Sequence, residues 1–195
     1  MTETSNYKKN TNKNLISKFF LNNFYTVLLD ELKNLHPQSI LDAGCGEGFF
    51  LTKLSHAKIG KKLEGIEYGD EAIKIGKKLH PTIIIKKADI YKLPYRNNSF
   101  DVVVCTEVLE HLVHPEKALL ELKRVAKKYI VLSVPNEPLF TIQRVLRGKN
   151  ILHLGAHPEH IQHWSSSTFK KFVTKYVKVI DDMTPLPWTL VVAEK

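Results

Sequence analysis

Short apolar runs alternate with amphipathic stretches along most of the chain. The runs predict strands near residues 39–43, 62–67, 82–86, 100–105 and 129–134, and a last pair at 177–181 and 188–193. Between them, apolar residues at helical spacing predict helices near 48–57, 70–79, 115–127 and 165–176. This alternation predicts an α/β fold in which a mostly parallel sheet carries helices on both faces.

Three stretches depart from this alternation. Residues 1–14 are rich in Asn, Lys and Thr and show no periodicity, so we expect a flexible N-terminal tail. Apolar residues from Leu15 to Leu35 recur at near-helical spacing and stop at His36-Pro37, which predicts one helix or a pair of helices. The stretch 137–164 is too long for a simple connection, and such loops in compact domains are often lids or binding loops.

A glycine-rich turn follows the first predicted strand and leads into a helical pattern. The strand ends at Asp42, and glycines follow at Gly44, Gly46 and Gly48. Such a turn lets the backbone approach a ligand closely, because glycine has no Cβ and tolerates positive φ. A dinucleotide site requires its third glycine at position 49, which is Phe49 here. The negative charge of Asp42 is unfavourable beside a pyrophosphate and suits a ligand that carries an ammonium group.

Further motifs follow in order along nearly the whole chain. Glu67 ends the second predicted strand, 25 positions after Asp42, a spacing that suits a carboxylate accepting the ribose hydroxyls. Asp89-Ile90 follow the third strand, and the segments 98–112 and 129–136 contain the fourth and fifth strands. Together with the glycine turn, these segments resemble the class I S-adenosylmethionine-dependent methyltransferases of the type 11-like group.

The resemblance implies a Rossmann-like, doubly wound, mostly parallel sheet of seven strands with one antiparallel strand. It implies a single domain over residues 15–195, in which 15–36 form an N-terminal helical cap and 137–164 form a substrate-facing loop. The implied cofactor is S-adenosylmethionine, with Asp42 holding the methionine ammonium, Glu67 the ribose and Asp89 the adenine edge. The complete set of implied cofactor contacts is Asp42, Gly44, Gly46, Gly48, Glu67, Asp89, Ile90, Cys105 and Glu107.

Length and charge constrain the protein further. A chain of 195 residues fits one domain. The formal net charge of +9 favours acidic partners such as RNA or an anionic membrane surface, although scattered lysine pairs are also typical of a solvated surface. Two cysteines, no apolar stretch long enough to cross a bilayer and no signal-peptide core lead us to expect a cytoplasmic protein without a membrane span.

A second group of residues carries acid–base chemistry. The spacing of Glu107, Glu110 and His111 predicts that they share one helix face. Four histidines, His153, His157, His160 and His163, lie in the later loop. Glu-x-x-Glu-His combined with His160 resembles the metal-dependent small-RNA 3′-terminal 2′-O-methyltransferases. A second interpretation assigns no metal ligand: the two glutamates cap and line the helix, and His111 and the later histidines close the pocket. A third makes His160 or His163 a general base that deprotonates a hydroxyl nucleophile. The candidate catalytic residues are His160 and His111.

The resemblance and the predicted enclosed pocket lead to a functional hypothesis. We expect a methyltransferase that acts on a small-molecule or lipid-like acceptor. One alternative is a metal-dependent RNA 2′-O-methyltransferase, which the basic charge and the Glu/His cluster favour. Another is a non-catalytic protein that uses this fold to bind a cofactor or a partner, since a fold does not dictate a function.

Overall fold

The computed structural model describes residues 4–137, 139 and 160–195. The strands are β1 (Ser39–Ala43), β2 (Lys62–Glu67), β3 (Ile84–Lys87), β4 (Phe100–Thr106), β5 (Ala126–Pro135), β6 (Lys178–Met183) and β7 (Trp188–Glu194). The α-helices are α1 (Ser5–Thr11), α2 (Leu15–Asn34), α3 (Phe49–His56), α4 (Asp70–Leu79), α5 (Pro115–Val125) and α6 (Ser166–Thr174). A 3-10 turn spans Leu109–His111.

The strands form a seven-stranded sheet in the order β3-β2-β1-β4-β5-β7-β6. All pairings from β3 to β5 are parallel, whereas β7 is antiparallel to both β5 and β6. The doubly wound, mostly parallel Rossmann-like sheet predicted from the sequence is therefore confirmed. Strand order reverses between β1 and β4, and ligands in such sheets bind beyond the carboxyl ends of the strands at that point.

The core has two halves, one on each face of the sheet. Successive residues of β1 point to opposite faces, so Ile40 packs with one half and Leu41 with the other. One half joins the sheet to α2 and α3, and the other joins it to α5 and α6. Cys45, which follows β1, packs with one half, and Leu109, which follows β4, packs with the other.

Helix α2 is one continuous helix of 20 residues, which resolves the choice between one helix and two. It begins after Asn14, whose side chain accepts a hydrogen bond from the backbone N–H of Ser17, a capping arrangement that satisfies an otherwise unpaired donor. Its buried face includes Phe24 and Leu28 and packs on the sheet. Within the described part of the chain, no helix is long and apolar enough to cross a membrane.

The N-terminal segment differs from the sequence-based expectation. We expected residues 1–14 to form a flexible tail, whereas the structure places residues 5–11 in a helix, α1. The helix buries no residue completely, so apolar periodicity does not reveal it. Polar contacts hold it instead: Thr4 and Asn6 donate hydrogen bonds to Glu47, and the Tyr25 hydroxyl donates to Asn10 at 2.9 Å.

Candidate active site

A cavity of about 1060 Å³ lies beyond the carboxyl ends of the parallel strands. One side of its wall consists of the ends of β1 and β2 and the residues after β3. The other side consists of the residues after β4 and the start of β7. Helix α1 and the first half of α2 complete the wall. A volume at the upper end of the range of ligand pockets leaves room for a cofactor beside a small acceptor.

The glycine turn brings backbone to the cavity in a conformation that other residues rarely adopt. Gly44 has φ +86°, and a Cβ there would lie 2.4 Å from Cγ2 of Val108. The Gly44 and Cys45 N–H groups both donate to the carbonyl of Ile66 at 2.9 Å, which ties the turn to the end of β2. Positive φ and close packing both exclude a side chain at Gly44.

Asp42 is the acid at the end of β1. It is 2% exposed, and its Oδ1 has no hydrogen-bond partner among the described residues. Burial, followed by the charge of Glu67, raises the Asp42 pKa from 3.8 to about 7. A buried carboxylate with an unpaired oxygen on a cavity wall fits a cationic ligand group, which would supply the missing partner and counter-charge.

Glu67 connects the two loops that frame the cavity. Its Oε2 accepts a hydrogen bond from the Gly46 N–H at 2.9 Å, and its Oε1 accepts from the Tyr68 and Gly69 N–H groups at 2.9 and 2.8 Å. The carboxylate also lines the cavity. It therefore holds the glycine turn in place and stands where the spacing from Asp42 predicted an acid.

Asp89 and Ile90 lie beyond β3 and also line the cavity. Strand β3 begins at Ile84, two positions later than the sequence pattern predicted, and ends at Lys87. Oδ1 of Asp89 accepts the Tyr91 N–H at 2.9 Å, which shapes the local turn while the side chain stays exposed. Both residues are therefore positioned on the cavity wall on the side of β1 and β2.

Two of the residues implied by the resemblance lie away from the cavity. Cys105 is fully buried in the apolar half-core beneath α5, and burial raises its thiol pKa well above the ordinary value. Cys105 therefore does not line the cavity, contrary to the expectation of a cofactor contact, whereas Thr106, one residue later, ends the strand and lies on the cavity wall. Gly48 does not line the cavity; it is the N-cap of α3 with φ +83°.

Glu107 stands at the cavity wall on a strained backbone. Its φ of +59° turns the chain sharply after β4. The carboxylate accepts hydrogen bonds from the Trp188 indole N–H and from the Ser133 hydroxyl, and Nζ of Lys9 lies 3.9 Å away. Burial raises the Glu107 pKa, while Lys9 and Trp188 act in the opposite direction.

The expectation that Glu107, Glu110 and His111 share one helix face is wrong. The positive φ at Glu107 breaks the chain direction, only the 3-10 turn Leu109–His111 follows, and α5 begins at Pro115. The turn nevertheless brings Glu110 and His111 to the same cavity as Glu107.

Glu110, His111 and His160 converge on the cavity wall. One ligand atom from each lies within 4.8 Å of the others. Glu110 is 1% exposed, and neither of its carboxylate oxygens has a hydrogen-bond partner in the described part of the chain. Its backbone carbonyl accepts from the Ile161 and Gln162 N–H groups at 2.8 and 2.9 Å, which holds the segment after His160 against the turn. Burial and the charge of Glu107 raise the Glu110 pKa well above its ordinary value.

Glu137 orients His160. Its Oε1 lies 2.7 Å from Nδ1 of His160 and 3.6 Å from Nδ1 of His163. The His163 side chain is half exposed and does not line the cavity, whereas His160 does. His153 and His157 lie outside the described residues.

Several wall residues were not predicted from the sequence. Glu47 lies within the glycine turn, is fully buried and accepts the hydrogen bonds from α1. Lys9 brings a positive charge to the cavity and lies 5.5 Å from the centre of the Trp188 ring. The unusual acid between the glycines was the one available signal for Glu47, whereas Lys9 and Trp188 are brought to the cavity by long-range packing.

The cavity fits the cofactor that the sequence implies. The positive-φ turn at Gly44 and Gly46 presents backbone to the cavity, and Asp42 offers a buried, unpaired carboxylate oxygen to an ammonium. Glu67 and Asp89 lie on the same wall, in the order of the strands that carry them.

Comparison with known proteins points to one family. The family model for a methyltransferase domain matches residues 41–132, which run from β1 into β5. A mitochondrial ubiquinone biosynthesis O-methyltransferase of Schizosaccharomyces pombe is 31% identical over 162 residues, covering 77% of this chain and 55% of that protein. A probable S-adenosylmethionine-dependent methyltransferase of Mycobacterium tuberculosis is 28% identical over 106 residues, covering 53% of this chain and 38% of that protein. The chain thus spans 38% and 55% of the lengths of these two relatives.

Solved structures share the fold over most of the chain. A protein from Pyrococcus horikoshii superposes with a TM-score of 0.72 at 14% identity, covering 93% of this chain and 92% of that chain. The methyltransferase domain of a bacterial Hen1 protein gives a TM-score of 0.69 at 20% identity, covering 90% of this chain and 100% of that chain. At such identities the likeness concerns the fold.

Proposed function

This chain is a class I S-adenosylmethionine-dependent methyltransferase domain, and from that premise we propose that it transfers the cofactor's methyl group to a small-molecule or lipid-like acceptor. The observation that carries the proposal is a single cavity with two chemically different sides. The side of β1, β2 and β3 carries Asp42, Glu67 and Asp89, whereas the side of β4 and β7 carries a group of acids, imidazoles and an indole.

The first side suits the cofactor. We assign Asp42 to the methionine ammonium, because a fully buried carboxylate with an unpaired oxygen requires a cationic partner. The turn at Gly44 and Gly46 lets backbone approach the same part of the cofactor, Glu67 holds the ribose and Asp89 the adenine edge. When bound, S-adenosylmethionine supplies an electrophilic methyl group on a positively charged sulfur.

The second side suits the acceptor. Transfer to an acceptor atom depends mainly on alignment and on the exclusion of water, which the apolar wall residues Phe20, Leu21 and Phe24 of α2 favour. His160 lies on the same wall with Nδ1 held by Glu137, an arrangement that fixes the ring. We assign to His160 the removal of the acceptor proton, with His111 beside it at a ring-centre distance of 5.1 Å.

The activity is tested with methyl-labelled S-adenosylmethionine and a fractionated microbial lysate, with magnesium present or chelated. Label in the solvent-extractable or small-molecule fraction that is indifferent to chelation supports the proposal. The Glu67→Ala variant is the control, because it weakens cofactor binding and should abolish labelling of the same fraction. Binding of S-adenosylhomocysteine without labelling of any fraction would instead support a non-catalytic module.

His160 has a separate test. The His160→Ala variant should lower turnover and leave the affinity for S-adenosylhomocysteine unchanged, since the residue lies on the acceptor side. The matched control is His163→Ala, because His163 contacts the same Glu137 carboxylate but does not line the cavity. Equal loss of turnover and of cofactor affinity in His160→Ala would mean structural damage and would contradict the role.

A second candidate function is a metal-dependent RNA 2′-O-methyltransferase, and the cluster of Glu110, His111 and His160 favours it. Imidazole and carboxylate ligands suit a divalent metal, and a cation would satisfy the buried oxygens of Glu110, which accept no hydrogen bond from the described residues. Glu137 on Nδ1 of His160 resembles the carboxylate that orients a metal-binding histidine. The positive charge of the chain suits RNA.

Calorimetric titration of Mn²⁺ into the protein and into Glu110→Gln tests the metal. Binding that the variant loses, together with chelator-sensitive label in the RNA fraction, would support this second function. Chelator-insensitive label in small molecules, with no Mn²⁺ binding, would exclude it. If small molecules are labelled and a chelator prevents the labelling, the metal is needed for the reaction but RNA is not the acceptor.

A further inference from the structure

The first turn of α2 exposes three large apolar side chains. Leu15, Ile16 and Phe19 are 81%, 59% and 70% exposed, although the same helix buries its opposite face against the sheet. At 100° per residue these positions lie on one side of the helix, so the three side chains form one patch. Contiguous exposed apolar side chains on a soluble domain mark an interaction surface.

Lysines flank this patch along the chain. From Thr4 to Leu29 the sequence contains four lysines and no acidic residue. Lys9 is directed toward Glu107 in the cavity, whereas Lys8, Lys13 and Lys18 are exposed. None of these three lysines has an ion-pair partner among residues 4–137, 139 and 160–195. We call the combined surface the α1–α2 edge; it consists of Lys8, Lys13, Leu15, Ile16, Lys18 and Phe19.

The α1–α2 edge continues into the cavity wall. Lys8 and its neighbours Ser5 and Asn12 line the cavity, as do Ser17 and Phe20 of the next helix. Val113, which is 63% exposed, also belongs to that wall. A surface that covers the edge therefore adjoins the opening of the cavity.

We propose that the α1–α2 edge docks on an anionic lipid surface and presents the cavity opening to it. Exposed apolar side chains flanked by lysines at a helix end are the composition of segments that lie in the membrane interface, where apolar burial and attraction to anionic headgroups act together. Nucleic acid would bind the lysines and leave Leu15, Ile16 and Phe19 in water. The inference goes beyond methyl transfer and does not depend on it.

Co-sedimentation with lipid vesicles tests the docking without cofactor or acceptor. The vesicles contain phosphatidylcholine alone, or equal parts of phosphatidylcholine and phosphatidylglycerol. We expect binding to the anionic vesicles only, and at least a tenfold loss of partitioning when salt is raised to about 1 M, where the screening length falls to about 3 Å. No binding to anionic vesicles at low salt would overturn the proposal.

Two double variants identify the surface. Ile16→Gln with Phe19→Gln should lower partitioning at least tenfold, since it removes the inserted apolar groups. The matched control, Lys117→Gln with Leu120→Gln on α5, removes one exposed lysine and one exposed leucine elsewhere and should partition as the unchanged protein does. Circular dichroism and S-adenosylhomocysteine affinity should be unchanged in both, because none of the four side chains lines the cavity.

Other results would replace the proposal with a different partner. If the two double variants lose vesicle partitioning equally, the attraction between protein and vesicle is not specific to the α1–α2 edge. If RNA displaces the protein from the vesicles, and the double variant Ile16→Gln, Phe19→Gln partitions as the unchanged protein does, the α1–α2 edge binds nucleic acid. A dimer in light scattering that the same variant converts to a monomer means that a second copy of the chain covers the edge.

Discussion

Replacement of Asp42 by asparagine is expected to flatten the pH dependence of stability and to weaken cofactor binding. The two effects share one cause: the Asp42 carboxylate is buried, and its Oδ1 is unpaired in the described structure. Asparagine keeps the size of the side chain and cannot ionise. The variant therefore behaves at every pH as the protonated acid does.

The magnitude follows from the pKa. Burial and the charge of Glu67 raise the Asp42 pKa to about 7, against 3.8 ordinarily. Below the ordinary pKa both folded and unfolded protein carry the proton, and ionisation costs no stability. Between the ordinary pKa and the raised pKa, Asp42 is ionised in the unfolded chain but still protonated in the folded protein. The free energy of unfolding therefore falls as pH rises and becomes constant above about pH 7. At 1.36 kcal/mol per pKa unit the full penalty is roughly 4 kcal/mol, of which about 2 kcal/mol develops between about pH 5.5 and about pH 8.

Urea unfolding of both proteins at these two pH values measures the effect. The difference in unfolding free energy, Asp42→Asn minus unchanged protein, should become more favourable to the variant by about 2 kcal/mol at the higher pH. The comparison of two pH values cancels any constant cost of burying an amide.

Calorimetry completes the test. A charge-assisted hydrogen bond contributes about 1.5 to 3 kcal/mol, so S-adenosylhomocysteine should bind Asp42→Asn at least tenfold more weakly. Binding to the unchanged protein should weaken as pH falls below about 7, because the carboxylate must lose its proton to pair with the ammonium. A stability difference independent of pH, or unchanged affinity in a folded variant, would refute the assignment of Asp42.

Three further predictions concern the same wall. Glu67→Ala should weaken S-adenosylhomocysteine binding at least tenfold by calorimetry, and unchanged affinity in a folded variant would exclude the ribose role. Gly44→Ala should lower the free energy of unfolding by about 2 kcal/mol in urea, because φ is +86° and the new Cβ meets Val108. Glu47→Ala should speed tryptic cleavage at Lys8 and Lys9, since it removes the acceptor that holds α1; cleavage at an unchanged rate would mean that other contacts suffice.

The sequence predicted what local patterns encode. Strand and helix positions follow from short-range periodicity, and the turn at Gly44 follows from a residue type that positive φ requires. Helix α1 was missed because its stabilising partners, Glu47 and Tyr25, lie far away in the sequence and because its own residues are polar. Cys105 was expected at the cavity but lies in the core, whereas Thr106 lines the cavity, because neighbouring side chains in a strand point to opposite faces.

The convergence of Glu107, Glu110 and His111 was anticipated for the wrong reason. Helical spacing predicted a shared face, whereas the structure uses a positive φ at Glu107 and a 3-10 turn. Side chains three and four residues apart come together both in a helix and in the observed turn. The spacing therefore identified the cluster of side chains but not the backbone conformation that brings them together. The position of His160 depends on the carbonyl of Glu110, which holds the segment that follows it, and no local pattern reveals such a contact.

The distribution of charge links the cavity to the surface. The chain carries a net charge of +9, yet the cavity wall carries the acids Asp42, Glu67, Glu107 and Glu110, with Lys9 close to Glu107. S-adenosylmethionine carries a sulfonium and an ammonium, so its binding would favour the ionised form of acids whose pKa burial raises, and the ionised acids then attract it. Methyl transfer removes the sulfonium charge and with it part of that attraction, which favours release of S-adenosylhomocysteine. Acids inside and lysines outside thus match a cationic cofactor and an anionic surface separately, and a mutation that alters one should leave the other intact.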